Sequence, residues 1–295
     1  MNRRKELARL AARAAAELRV ARGYRRDVPI CPFDAATGSG VQVWLASIPS
    51  LEGMYCKDRG PSIIVSTERP PGRQVFTAGH ELGHHVFRHG TRADEYFDTP
   101  PEPVGFDPEE FLADTFSSHF LMPPAAVRFG FSARGIAIAE ATPAEVYAVS
   151  TWLGVGYDTL IGHLEMNLRL LASSHADKLR RTSPKSIRQE LLGGNLVPHL
   201  VIAGTSWSDR AIDLRVGDGV LVVSDCVQEG ERLRLQSLAT GGRLAVAKRR
   251  GIGRIESPST GWSCFVRVMP NQYEGQSRFR FDEDPDENLS TDNDL

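Results

Sequence analysis

The feature that most constrains this chain of 295 residues is the pentad His80-Glu81-Leu82-Gly83-His84. On an α-helix, positions four apart share a face about one turn apart. Both imidazoles can then reach one ion, with Glu81 beside them. Zinc suits neutral imidazole and draws the pKa of a water it holds down towards ~7, so a nearby carboxylate can take the proton. The same five letters also arise by chance, as a helix with two surface histidines. Phe76, Leu82, Val86 and Phe87 argue against that reading. They make the flanks apolar, so the helix is expected to be buried and its polar side chains to need partners.

A third ligand is read at Glu110. In Glu110-Phe111-Leu112-Ala113-Asp114 two carboxylates stand four apart on one helix face. Glu110 would complete a His, His, Glu set with one position open, as a catalytic zinc requires. Asp114 would accept the outer N–H of a ligand histidine and hold its tautomer. Glu109 is the competitor, in step with Leu112 and Phe116, whereas Glu110 shares its face with Ala113, Asp114 and Ser117. The plain alternative is an ordinary acidic helix start, because Asp107 is there too.

These two segments, Phe76-Thr77-Ala78-Gly79-His80-Glu81-Leu82-Gly83-His84-His85 and Glu110-x-x-Ala-Asp-x-Phe-Ser-x-x-Phe-Leu-Met-Pro123, resemble the ImmA/IrrE metallopeptidases. The strand-like Ser62 to Ser66 sits where that family places a strand, and Tyr147 to Leu171 also matches. The resemblance spans roughly residues 1 to 172. It implies a compact α/β zinc peptidase with His80, His84 and Glu110 as ligands, Glu81 as catalytic base and Asp114 as outer partner. Members of the family cleave helix-turn-helix repressors and so switch on stress-response or mobile-element genes. Gly79 stands where alanine is usual, and His119 where a small or acidic residue is commoner.

The rest of the chain reads as an α+β protein: a zincin-like helical peptidase domain with a small sheet, a helix-turn-helix-like segment, and a small β-rich domain. The boundaries are 1–135 for the peptidase, 136–172 for the helical pair, 173–195 for a linker, 196–281 for the β domain and 282–295 for an acidic disordered tail. Helices are expected from Glu6 to Val20, from Arg73 to His89, and from Asp107 to Leu121, the last capped by Asp107 with Pro108 at its first position. Residues 91 to 107 read as a loop. Short apolar runs at Leu200, Gly219, Leu233, Leu244 and Phe265, parted by Gly and Asp turns, suggest a small barrel or sandwich whose role would be sensing a signal or selecting the substrate.

Weaker signals remain. Tyr55, His85, His89 and His119 are candidates to stabilise an oxyanion, each more simply explained as structural. Residues Thr142 to Leu171 could form a helix-turn-helix, but the second helix offers Asp158, His163, Glu165 and Asn167 with no Lys or Arg. Acidic side chains there oppose the phosphates that supply most DNA affinity. Nucleic acid is therefore the less favoured partner, and packing on the peptidase or docking of a protein the better reading. Lys248-Arg249-Arg250 reads as a solvated hairpin tip. A net charge of −2, no run of ~18 apolar residues, no secretion signal and four scattered cysteines fit a cytoplasmic protein with no membrane partner. The expectation is a zinc endopeptidase (manganese also fits the donors) that cuts a regulatory protein. The alternative is a non-proteolytic metal-containing regulator that binds DNA or a protein.

Overall fold

In the computed structural model of the chain, residues 2–58, 60–96, 105–194, 196–207 and 210–282 are described. The acidic stretch read as a tail lies, apart from Asp282, outside them. The apolar stripe from Leu7 to Leu18 forms α1 (Asn2–Ala21), which buries Ala11 and Ala15. The short α2 (Pro32–Gly38) leads into β1 (Gln42–Ala46), β2 (Leu51–Cys56) and β3 (Ser62–Ser66). In β1 and β3 the β-branched and leucine positions alternate inward, with Val43, Leu45, Ile63 and Val65 buried.

Next come α3 (Pro71–Val86), β4 (Arg92–Glu95), α4 (Pro108–Leu121) and α5 (Pro124–Ser132). The segment 91–107, read as a loop, thus contains a strand. Arg92-Ala93-Asp94-Glu95 has no apolar alternation to announce it, because it joins a sheet edge and stays largely solvated. The helical pair is α6 (Pro143–Leu153) and α7 (Tyr157–Gly162), with one π-helical turn after it (His163–Asn167). A Thr142/Glu145 capping box starts α6, and Gly154, at φ 78°, ends it. The polar stretch read as a linker folds into α8 (Ser173–Arg180) and α9 (Pro184–Leu191).

The remaining strands are β5 (Leu200–Ile202), β6 (Ile212–Arg215), β7 (Gly219–Val222), β8 (Val227–Glu229), β9 (Leu233–Ser237), β10 (Arg243–Ala247), β11 (Gly251–Ser257), β12 (Trp262–Met269) and β13 (Gly275–Gln276). The chain divides into two compact units, Met1–Ile187 with Glu274–Arg278, and Arg188–Tyr273 with Phe279–Leu295. The stretch 196–281, read as one β domain, therefore returns five residues to the first unit. Their strand, β13, closes the otherwise unpaired edge of β1.

The sheet of the first unit runs β13-β1-β3-β2-β4, with β1 and β3 parallel and the other pairs antiparallel. Helix α3 packs on β2 and β3, and α4 lies between α3 and α1. Arg19 of α1, buried, donates to Phe120 O at 2.7 Å and to Arg25 O and Val28 O, both at 2.6 Å. It thereby satisfies a carbonyl in the last turn of α4 that the helix itself leaves open.

The second unit holds two four-stranded sheets, β5-β7-β10-β9 and β6-β12-β11-β8. Its interior includes Trp207, Leu214, Val220, Leu244, Ile255 and Val266. Lys248 to Arg250 join β10 to β11, which belong to different sheets, so this cationic stretch is a crossover rather than a hairpin tip. No helix among the described residues is long and apolar enough to cross a membrane.

Candidate metal centre

Helix α3 begins at Pro71, whose ring presets the helical φ where no amide partner is needed. Its face from Thr77 to His84 is buried throughout. The helix ends at Val86, three residues short of the expected His89, because Arg88 adopts the left-handed region at φ 59°. That turn folds His89 back on the helix it has just left. The His89 amide donates to His84 O at 3.0 Å, and the two Nδ1 atoms lie 2.8 Å apart.

Helix α4 is capped as its sequence predicts: Asp107 accepts from Glu109 N at 2.8 Å and Glu110 N at 3.4 Å. It can lie close against α3 because Gly79 and Gly83 present no side chain. A Cβ at Gly83 would stand 3.0 Å from Ala113 Cα, and one at Gly79 would stand 2.6 Å from Ser117 Oγ. Ser117 Oγ donates to Phe76 O at 2.8 Å and locks the pair. The glycines and the small residues facing them recur every four positions, one turn apart. This brings Glu110, one turn before Asp114, within reach of the two histidines.

The side chains converge as follows. His80 Nδ1 lies 2.9 Å from Asp114 Oδ1. On its other side, His80 Nε2 lies 2.9 Å from His84 Nε2, 3.2 Å from Glu110 Oε2 and 3.2 Å from Asp94 Oδ2. His84 Nε2 is 3.7 Å from Glu110 Oε1. Glu109 turns away to an ion pair with Arg92, so of the two competing glutamates it is Glu110 that meets the histidines. His80, His84 and Glu110 form a candidate metal site.

Burial pulls the His80 pKa down, but hydrogen bonds with Asp114, Asp94 and Glu110 outweigh it and hold the imidazole well above its ordinary value. Hydrogen bonds from His80 and His84 hold the Glu110 carboxyl far below the usual range, against the opposing effect of burial. The surroundings thus favour positive charge at His80. The spacing also suits a small cation. Tetrahedral donors at 2.0–2.2 Å from zinc are separated by roughly 3.3–3.5 Å, and the observed 2.9, 3.2 and 3.7 Å bracket that edge.

Glu81 is fully buried, and neither carboxylate oxygen has a hydrogen-bond partner among the described residues. Burial drives its pKa well up, His80 pulls against this, and Asp94 and Glu110 add to it. Gly53 of β2 makes the space for it, since a Cβ there would meet Glu81 Oε1 at 2.6 Å. A buried carboxyl with no partner is costly and marks a functional group more often than a structural one.

The other sequence candidates have partners elsewhere. Tyr55 OH bonds His85 Nδ1 at 3.0 Å, and the His119 ring packs edge-on against His163 at 5.2 Å. His163 itself is buried and bonds Met122 O at 2.9 Å, while Glu165 pairs with Arg180. Asn167 Nδ2 lies 2.9 Å from His163 Nδ1, so three of the four side chains considered for a DNA groove are engaged within the first unit. Two neighbours of the site were not assigned there from sequence. His89 appeared only as an oxyanion candidate, and Asp94 lies in the strand read as loop. Spacing signals neither, because each arrives through a turn of backbone rather than a helical repeat.

Residues 27–151 match the family model described as the IrrE N-terminal-like domain, a metallopeptidase family. The resemblance read from the two motifs is thus supported over this part of the chain. The match takes in β1 to α5 and nearly all of α6, with every residue of the candidate centre. No match is found among curated proteins.

Proposed function

We propose that the first unit is a zinc-dependent endopeptidase of zincin-like type that cuts a regulatory protein, a helix-turn-helix transcriptional repressor. Cleavage would derepress stress-response or mobile-element genes. One observation carries the chemistry: His80, His84 and Glu110 converge beside a buried glutamate, Glu81, whose carboxylate has no hydrogen-bond partner among the described residues.

In this reading His80, His84 and Glu110 would hold the metal ion. Asp114 accepts the Nδ1 proton of His80 and fixes that ring. A zinc-type ion held there would polarise the scissile carbonyl and acidify a water. Glu81, beside the site, would accept a proton from the attacking water and deliver it to the leaving amine. Burial raises the Glu81 pKa, so this carboxyl holds a proton more firmly than an exposed one would. The choice of a repressor as substrate rests on the family resemblance, and the second unit is assigned signal sensing or substrate selection.

The test compares new protein N-termini, proteome-wide, in cells carrying the wild type or Glu81→Gln, with and without stress. A fragment that appears only with the wild type is expected, and it would name the target. Identical N-termini under every stress applied would count against proteolysis.

A further inference from the structure

Positive charge is concentrated in one place in this chain. Nine of its 35 Lys and Arg fall within the first 26 residues, against two of its 37 Asp and Glu. The chain as a whole carries −2. One of the nine, Arg19, is buried and engaged with backbone carbonyls. The other eight, from Arg3 to Arg26, are exposed. Arg13 pairs with Glu17 at 2.7 Å, Arg25 with Asp27 at 2.8 Å, and Arg4 lies over the Phe106 ring at 4.4 Å. Arg3, Lys5, Arg9, Arg22 and Arg26 have no ion pair among the described residues.

This placement works against the helix that carries it. The first turn of α1 holds no acidic residue, so Arg3, Arg4 and Lys5 stand at the positive end of the helix dipole. Lys5, Arg9 and Arg13 follow one another at four-residue steps, which stacks like charges one turn apart along a line. Both features disfavour an isolated helix. Stability comes from the opposite face, where Ala11 and Ala15 are buried, α1 packs on α4, and Arg19 donates to Phe120 O. The 20 residues of α1 thus form a rod roughly 30 Å long that is anchored on one side and displays cations on the other. Charges that oppose their own helix are accounted for by an anion outside it.

We propose that the outward face of α1 binds the phosphate backbone of duplex DNA without reading its bases. The duplex presents one negative charge about every 1.7 Å of its axis, a density that a fixed row of cations can follow. Seven of the eight exposed cations are Arg, whose planar fork grips a phosphate with two N–H groups. A membrane surface fits less well, because an interfacial helix needs a free apolar face and that of α1 lies against α4. A protein partner also fits less well, since Leu10 and Val20 are the only large apolar side chains α1 exposes. Neither α6 nor α7 contains a Lys or Arg, so α1 and not the helical pair makes the contact. No residue of the candidate metal centre takes part.

The experiment titrates full-length protein into a short fluorescein-labelled duplex of arbitrary sequence and reads anisotropy at several salt concentrations. The wild type is compared with Lys5→Gln/Arg9→Gln/Arg13→Gln, with the charge-keeping Arg9→Lys/Arg13→Lys, and with Lys178→Ala/Lys185→Ala, whose cations lie on α8 and α9. Glutamine matches the helix propensity of the residues it replaces, and circular dichroism checks that α1 is kept. Each phosphate contact contributes roughly 0.9 to the slope of log affinity against log salt. The slope should therefore flatten by about 2.7 in the triple variant, with affinity at least ~10-fold weaker near physiological salt. The other two variants should keep the wild-type slope. No binding of the duplex by the wild type, or equal slopes in the wild type and the triple variant, would overturn the proposal. Tighter binding to phosphatidylserine vesicles or to poly-glutamate than to the duplex would also overturn it, giving the face to a membrane or to an acidic protein.

Discussion

His89 Nδ1 lies 2.8 Å from His84 Nδ1, in a buried contact between a candidate ligand and the residue five positions after it. Only one proton can occupy that line. If His84 binds an ion through Nε2, its proton is on Nδ1 and His89 must accept it, with its own proton on Nε2. Burial holds the His89 pKa below its ordinary value, which keeps the ring neutral and able to accept. The two candidate ligands are thus held by different partners, His80 by a carboxylate and His84 by an imidazole.

Loss of that acceptor is expected to weaken metal binding without unfolding the protein. His89→Leu should bind zinc ~10–100-fold more weakly, the usual effect of removing an outer partner. His89→Gln, whose amide oxygen can still accept, should recover most of the affinity. Equal affinities for the two variants would show that His89 only fills space.

Glu81 ties stability to pH. Its carboxyl is pushed well up, so the folded state favours the protonated form. The metal-free protein should therefore lose stability as pH rises from the ordinary carboxylate range towards the raised value. Glu81→Gln removes that loss. At neutral pH the chelated variant should be more stable than the wild type by about 1–3 kcal/mol, the scale of an unsatisfied buried group. Denaturant titrations at several pH values check this, and a variant less stable at neutral pH would contradict it.

The approach of α4 to α3 depends on Gly83. Gly83→Val would place side-chain atoms against Ala113 Cα and the Phe116 ring. Overpacking of this kind costs about 1–3 kcal/mol. Because Glu110 precedes Ala113 by three residues on the same helix, zinc affinity should fall together with the melting temperature. Gly83→Ala should show both effects in milder form. A stable Gly83→Val protein with full affinity would mean that the helix spacing is not what delivers Glu110.

The edge of β1 is closed by β13, where Leu45 stands opposite Gly275 and Trp44 opposite Gln276. Gly275 has φ 137°, a region that side chains rarely adopt. Gly275→Val should strain the strand by about 1–3 kcal/mol and loosen it from β1. Faster hydrogen exchange across Gln42–Ala46 in the variant is the expected reading, and unchanged exchange there would make β13 dispensable to the sheet.

Short-range spacing carried much of this protein. His80 and His84 share a helix face because four residues make about one turn, and the Asp107-Pro108 cap starts α4 where the local chemistry says it must. The alternation in β1 and β3, the Thr142/Glu145 box and the Gly154 stop are of the same kind. What spacing could not supply is whatever depends on distant backbone. Glu110 rather than Glu109 meets the histidines because Gly79 and Gly83 let two helices close together and Arg92 draws Glu109 aside. His89 reaches His84 only because Arg88 turns left-handed. Asp94 lies beside His80 through the register of a solvated edge strand with no apolar pattern of its own. β13 joins the first unit because an unpaired strand edge some 230 residues earlier needs its hydrogen bonds. Local propensity and periodicity act over a few residues, so the sequence alone determined the helices and the shared face of His80 and His84. Packing and backbone hydrogen bonding act between segments, so the tertiary structure decided which further side chains stand around that pair.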